Sequence, residues 1–140
     1  MRLKLKPYIK KITDMAQTDF VNEIGANWVG FVGEKYLVEL VIEEFHLNPH
    51  GMVHGGVLCT LLDAAMGRAF YESIAAEKRS SVTLEIKVNF LKAAKGRKLK
   101  AYGYLVNKTR RTGFVEGLIE DDEGQLIAKA SSTMFVLQQT

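Results

Sequence analysis

The chain has a single cysteine, Cys59, so it holds no internal disulfide, which fits a reducing compartment. No stretch approaches the ~18 consecutive apolar residues of a membrane span, and the basic start, Met1 to Lys11, is not followed by the apolar run of a signal peptide. These absences lead to the expectation of a soluble, cytoplasmic protein with no membrane partner. Charge of one sign is nowhere concentrated: the net charge is +3, and the basic residues are spread over several segments. With no recognised nucleic-acid motif and no interleaving of aromatic and basic residues, nucleic acid is not an expected partner. No linker, repeat or low-complexity segment divides the 140 residues, so they are expected to form one domain.

What is present is enough apolar material for a real core, 47% of the chain. Ile9, Ile12, Met15, Ala16, Phe20 and Ile24 recur at mostly helical spacing, which predicts an N-terminal helical segment over about 7–24. Pro7 suits a first turn, and Thr18-Asp19 can cap a second one. Beyond Gly25, the β-rich runs Trp28 to Val32 and Tyr36 to Ile42 flank Gly33-Glu34-Lys35, a hairpin connection. Val82, Leu84, Ile86, Val88 and Phe90 alternate with Thr83, Glu85, Lys87 and Asn89, a period-two strand that places Thr83 on the polar side. Leu99 to Asn107, Gly113 to Glu120 and Leu126 to Leu137 complete six strands, with Asp121-Asp122-Glu123-Gly124 as a hairpin turn.

Between the second and third strands, a turn-rich segment with Asn48-Pro49 and Gly51 runs into His54-Gly55-Gly56 and then a long helical pattern, expected over about 54–75. At about 100° per residue, Val57, Leu58, Leu61, Leu62, Ala65, Met66 and Ala69 share one broad oily face. Gly56, Thr60, Asp63, Ala64 and Gly67 form a face of small residues that can admit another backbone or a thin ligand. Asp63 is a poor helix former with no basic residue three or four positions away, so a helical ion pair does not account for it. It invites a chemical role. One long helix against six strands gives an α+β domain with a segregated antiparallel sheet.

Asn48, His54-Gly55-Gly56 and Asp63 together resemble the signature of the hotdog-fold acyl-CoA thioesterases, in the branch that includes phenylacetyl-CoA thioesterases. Similarity continues to about Phe135, leaving out the first forty or so residues. The resemblance implies an antiparallel sheet wrapped around the central helix. It also implies hydrolysis of an acyl-CoA or aryl-acyl-CoA to free acid and coenzyme A, with no cofactor beyond the coenzyme A of the substrate. Such chemistry needs a polarised carbonyl oxygen and an aimed nucleophile. The backbone N–H of Gly55, at a helix start, is the expected oxyanion donor. Asp63 is then the general base for water or itself the nucleophile; the sequence leaves both routes open, and water is the one we favour. Asn48 and His54 are expected to supply hydrogen bonds around the thioester, and Thr83 a water-orienting hydroxyl. Lys108, Arg110, Arg111, Thr112 and Gly113 resemble the family's basic strand connection near the coenzyme A phosphates, where Arg suits phosphate. The chain departs from its relatives at Lys92-Ala93-Ala94, where they commonly show Pro, so the adjoining strand end and pantetheine channel are expected to differ.

Two rivals stand beside this reading: a non-catalytic acyl-CoA-binding module on the same fold, and a hydratase or dehydratase that leaves the thioester intact. His46, His50 and His54 repeat every four residues, but Pro49 and Gly51 interrupt a helix there, so no metal site is expected. Cys59, close to a helix N-terminus, would have a lowered pKa, although its apolar neighbours favour a packed residue. Exposed sheet edges invite a second copy, and relatives imply a homodimer and a dimer of such dimers. Gly55 and Asp63 stand about 12 Å apart along one helix at ~1.5 Å per residue, so a shared site is expected to draw on two chains.

Overall fold

A computed structural model describes residues 19–94 and 96–138. Most of the expected N-terminal helical segment therefore lies outside the described residues. Its end is seen as α1, Phe20–Glu23, where the Asp19 side chain caps the turn by accepting from the Val21 N–H at 3.0 Å.

Six strands follow: β1 (Asn27–Val32), β2 (Lys35–Val41), β3 (Ser80–Phe90), β4 (Lys98–Lys108), β5 (Thr112–Asp121) and β6 (Leu126–Leu137). They form one sheet in the order β1-β2-β4-β5-β6-β3, with every neighbouring pair antiparallel. The helix α2, Gly55–Ile74, carries the chain from β2 across the sheet to the opposite edge. At about 1.5 Å per residue its 20 residues span roughly 30 Å. This is the hotdog arrangement, a sheet wrapped around one long helix. No helix among the described residues is long and apolar enough to cross a membrane.

The core lies between that helix and the concave face of the sheet. Leu61, Leu62, Ala65, Met66 and Phe70 of α2 are fully buried against Leu99, Ala101, Val115, Ile119 and Ile127. Each fully buried Leu or Phe contributes roughly 1.5–3 kcal/mol of transfer free energy, so this face fixes the helix. Helix and sheet meet backbone to backbone at Gly103 in β4, where a Cβ would overlap the backbone of Ala65 and Met66. Only glycine lets the strand lie directly on the helix there.

Two expectations about facing need correction. Ala64 belongs to the buried side of α2, while Val57 is only half-buried. Thr83 does not point with the polar residues of β3. A register shift between Thr83 and Glu85 inserts one extra residue opposite β6, so strand parity reverses. Val82 and Leu84 are consequently 42% and 59% exposed, and Thr83, paired with buried Met134, faces the helix along with Ile86 and Val88.

Candidate active site

The segment before α2 folds around Asn48. Its Oδ1 accepts from the N–H of His50 at 2.9 Å and of Met52 at 3.1 Å, while the Asn48 N–H donates to the Met52 carbonyl at 2.7 Å. The side-chain oxygen is thus used by the turn, and the carboxamide NH2, which donates to nothing among the described residues, is what Asn48 offers outward. Asn48 lines a groove of about 360 Å³ together with Met52, Gly55, Leu58, Phe90 and Lys92.

His54 is the N-cap of α2: its Nδ1 accepts from the Gly56 N–H at 2.9 Å. In the neutral ring this puts the proton on Nε2, a donor on an exposed side chain. Because the cap takes the Gly56 N–H, the Gly55 N–H is left without an acceptor among the described residues. A Cβ on Gly55 would come within 3.2 Å of the Phe90 ring, so glycine keeps the groove open at that N–H.

Two turns along the helix, Asp63 is exposed, and its Oδ1 accepts a 2.8 Å hydrogen bond from the Thr83 hydroxyl. The bulge in β3 makes this contact possible, and it orients the carboxylate so that one oxygen is held and the other is presented. The pair lines a hollow of about 270 Å³, with Ala64 and Gly67 beside it and Trp28, Tyr71 and Val82 around it. Trp28 and Tyr71 went unnoticed in the sequence because they are distant in the chain and carry no motif.

Cys59 lies one turn before Asp63. Burial, and then the Asp63 carboxylate, push its thiol pKa up, opposite to the lowering expected from the helix N-terminus. Its chemistry is that of a packed thiol. The three histidines also part company. His46 is buried with both ring nitrogens bonded, His54 caps the helix, and His50 sits on the exposed turn. Among the described residues no three His, Cys, Asp or Glu side chains gather to hold a metal ion.

The basic connection between β4 and β5 lies beyond the far end of α2. Arg110 and Arg111 line a cavity of about 540 Å³ with Glu77, Gln138 and Arg79, the last a cation that sequence reading passed over as part of an interelement turn. Lys108 is engaged differently: its Nζ donates to the Ser73 carbonyl at 2.8 Å and lies 3.7 Å from Glu77, closing the C-terminal end of α2. Thr112 is tied to Thr109 within the turn, with their hydroxyls 2.8 Å apart. Gly113 is buried beneath the Phe70 ring, which a Cβ would overlap, so packing alone accounts for it.

A single chain therefore presents three separate places: Asn48, His54 and Gly55 at the helix start; Asp63 and Thr83 midway; Arg110 and Arg111 past its end. The family model described as the thioesterase superfamily matches residues 50–128, over half of the chain. The chain belongs to the thioesterase superfamily. It is 29% identical over 99 residues to an Archaeoglobus fulgidus protein named "Putative esterase", a match covering 70% of this chain and 62% of that one, so the chain spans less than two thirds of that relative's length. A Bacillus halodurans protein crystallised with CoA superposes with a TM-score of 0.79 at 28% identity, over 95% of this chain and 85% of the other. A Haemophilus influenzae thioesterase gives a TM-score of 0.83 at 20% identity, over 92% and 90% of the two chains, a likeness of fold.

Proposed function

We propose that this thioesterase-superfamily chain hydrolyses an acyl-CoA or aryl-acyl-CoA thioester, in the manner of the phenylacetyl-CoA thioesterase branch. The observation that carries the reading is the Asp63 carboxylate, exposed on α2 and oriented by the Thr83 hydroxyl, on the same helix whose first N–H has no acceptor among the described residues.

In this reading the Gly55 N–H, reinforced by the helix dipole, donates to the thioester carbonyl oxygen as negative charge develops there. The Asn48 NH2 and the His54 Nε2–H lie at the same helix start and orient the thioester. Asp63 takes a proton from water as its oxygen attacks the carbonyl carbon. The tetrahedral species collapses by breaking the C–S bond, and the coenzyme A thiolate regains the proton from Asp63. Thr83 acts by holding Asp63, since its hydroxyl hydrogen is already committed to the carboxylate. Direct attack by Asp63 through a mixed anhydride is the alternative route to the same products. No metal or redox cofactor takes part in either route.

The axial separation of Gly55 and Asp63, about 12 Å, exceeds what an Asp side chain bridges. We therefore read the site as composite, with the helices of two copies antiparallel and Gly55 of one facing Asp63 of the other. Such dimers can pair further into a dimer of dimers. From Asp63 to Ile74 is about 16 Å along the axis at ~1.5 Å per residue. In this reading Arg110, Arg111 and Arg79, which line one cavity past that end of the helix, take the nucleotide phosphates at the end of an extended pantetheine arm. A coenzyme A substrate also agrees with the cytoplasmic location expected from the sequence.

The test is release of free thiol from a panel of acyl- and aryl-acyl-CoAs by the wild type and by Asp63→Asn. The reading requires turnover that the variant lacks. Tight binding with no thiol released by either protein would instead show an acyl-CoA-binding module. Consumption of an enoyl thioester with its thiol retained would show a hydratase.

A further inference from the structure

The imidazole of His46 is buried, only 1% exposed, and the proposed chemistry does not account for it. Burying an imidazole is costly unless both nitrogens are satisfied. Here they are. Nδ1 accepts from the Glu43 N–H at 2.9 Å, and Nε2 lies 2.7 Å from the Ile24 carbonyl, which can only accept. That carbonyl puts the ring proton on Nε2 and leaves Nδ1 as an acceptor. The ring therefore ties the end of α1 to the beginning of the loop that leads into α2.

The backbone of the same residue holds the other end of that loop. The His46 carbonyl accepts from the His54 N–H at 2.8 Å, and the adjoining residues Leu47 and Val53 form an isolated antiparallel bridge. Between these ties lie the Asn48 turn and the Pro49-His50-Gly51 bend, so the loop closes on itself at His46. The next residue after His54 is Gly55. A shift of the His46 ring is thus passed through one backbone hydrogen bond to the cap and the first N–H of α2.

We propose that His46 is a positioning residue for the oxyanion donor: anchored to Ile24 and Glu43, it sets where the Gly55 N–H points. The inference rests on the proposed thioesterase reading and deepens it. It assigns a duty in transition-state recognition to a residue that touches neither substrate nor reacting atoms. An oxyanion donor displaced by a fraction of an ångström still meets a ground-state carbonyl, but it stabilises the developing oxyanion less.

The test separates that duty from a contribution to folding. Two unreactive coenzyme A ligands are compared: a thioether, which mimics the ground state, and a trifluoromethyl ketone, which adds water or an enzyme nucleophile to give a tetrahedral adduct. Binding is followed through Trp28, the single tryptophan of the chain, which lines the Asp63 hollow. The ratio of the two dissociation constants does not depend on the folded fraction. His46→Phe, which keeps a ring but loses both hydrogen bonds, is expected to reduce the ketone preference by at least about 10-fold, the scale of a weakened oxyanion donor. His46→Asn keeps an acceptor for Glu43, and His46→Gln a donor for Ile24, so each is expected to restore part of the preference. If His46→Phe does not fold, these two variants decide, and a wild-type ratio in both overturns the proposal. An unchanged ratio in folded His46→Phe overturns it equally. A wild type without any preference for the ketone would show that the oxyanion reading itself has failed, and the role of His46 would fall with it.

Discussion

At the scale of single residues, the Asp63–Thr83 contact makes the sharpest demand. Thr83→Val removes the donor while keeping the shape, so kcat for an acyl-CoA is expected to fall about 10- to 100-fold with KM little changed. Thr83→Ser should keep most of the rate, and a Val variant as fast as wild type would end this assignment. Cys59 offers a second test because its thiol is held above the ordinary cysteine range by burial and then by Asp63. Its alkylation by iodoacetamide, followed by mass spectrometry against pH, should therefore rise at higher pH than that of a free cysteine. Asp63→Asn removes only the second cause, so the rise should move down in pH without returning fully. Rapid alkylation at neutral pH would contradict this. Asp63 stood out in the sequence because a mid-helix Asp with no basic residue three or four positions away is not explained by a helical ion pair. The orientation of Thr83 was not, because alternation along β3 carries no sign of the register shift that reverses it.

At the scale of elements, the two ends of α2 behave differently. The N-terminal end is closed by the exposed His54 ring, to which the proposed function gives a second role, so His54→Ala is expected to combine the loss of a cap, about 0.5–2 kcal/mol, with a loss of activity. The C-terminal end is closed by Lys108, whose observed partners are Ser73 and Glu77. Lys108→Met is expected to lower the melting temperature by a few degrees while leaving KM for an acyl-CoA near wild type. Arg110→Ala with Arg111→Ala should do the reverse: KM rises for the full coenzyme A thioester and much less for a truncated pantetheine thioester, at little cost in melting temperature. Equal damage to both substrates would detach these arginines from the phosphates. Sequence periodicity located α2 to within a residue at each end, since its capping histidine and long apolar face are local signals. The seven residues of β2 and the twelve of β6 were likewise visible as β-rich runs between turn residues. What the sequence did not separate was the basic connection into its parts, because Lys108, Arg110 and Arg111 look alike until their partners in space are known.

At the scale of the whole molecule, the composite site predicts complementation. Asp63→Asn chains mixed with chains disabled at His54 should yield active heterodimers after subunit exchange, since one of the two sites then carries neither defect. Verified heterodimers that stay inactive would mean each site is built within one chain. The sequence pointed to this arrangement through helix geometry alone, whereas the His46 ties joining α1 to the loop ahead of α2 have no periodic or motif signal. The seat of α2 on Gly103 has a mechanical consequence of its own. A helix resting on interdigitated side chains can creep along a sheet by small rotamer adjustments, but one locked backbone to backbone at Ala65 and Met66 is registered like a key in a notch. The spacing from that notch to Asp63, and from there to the helix start, is then a property of the fold. The loop that follows α2 can lengthen, shorten or change its residues without retuning the reaction centre, whereas the loop ahead of it, which carries Asn48 and the His46 ties, is bound to that centre.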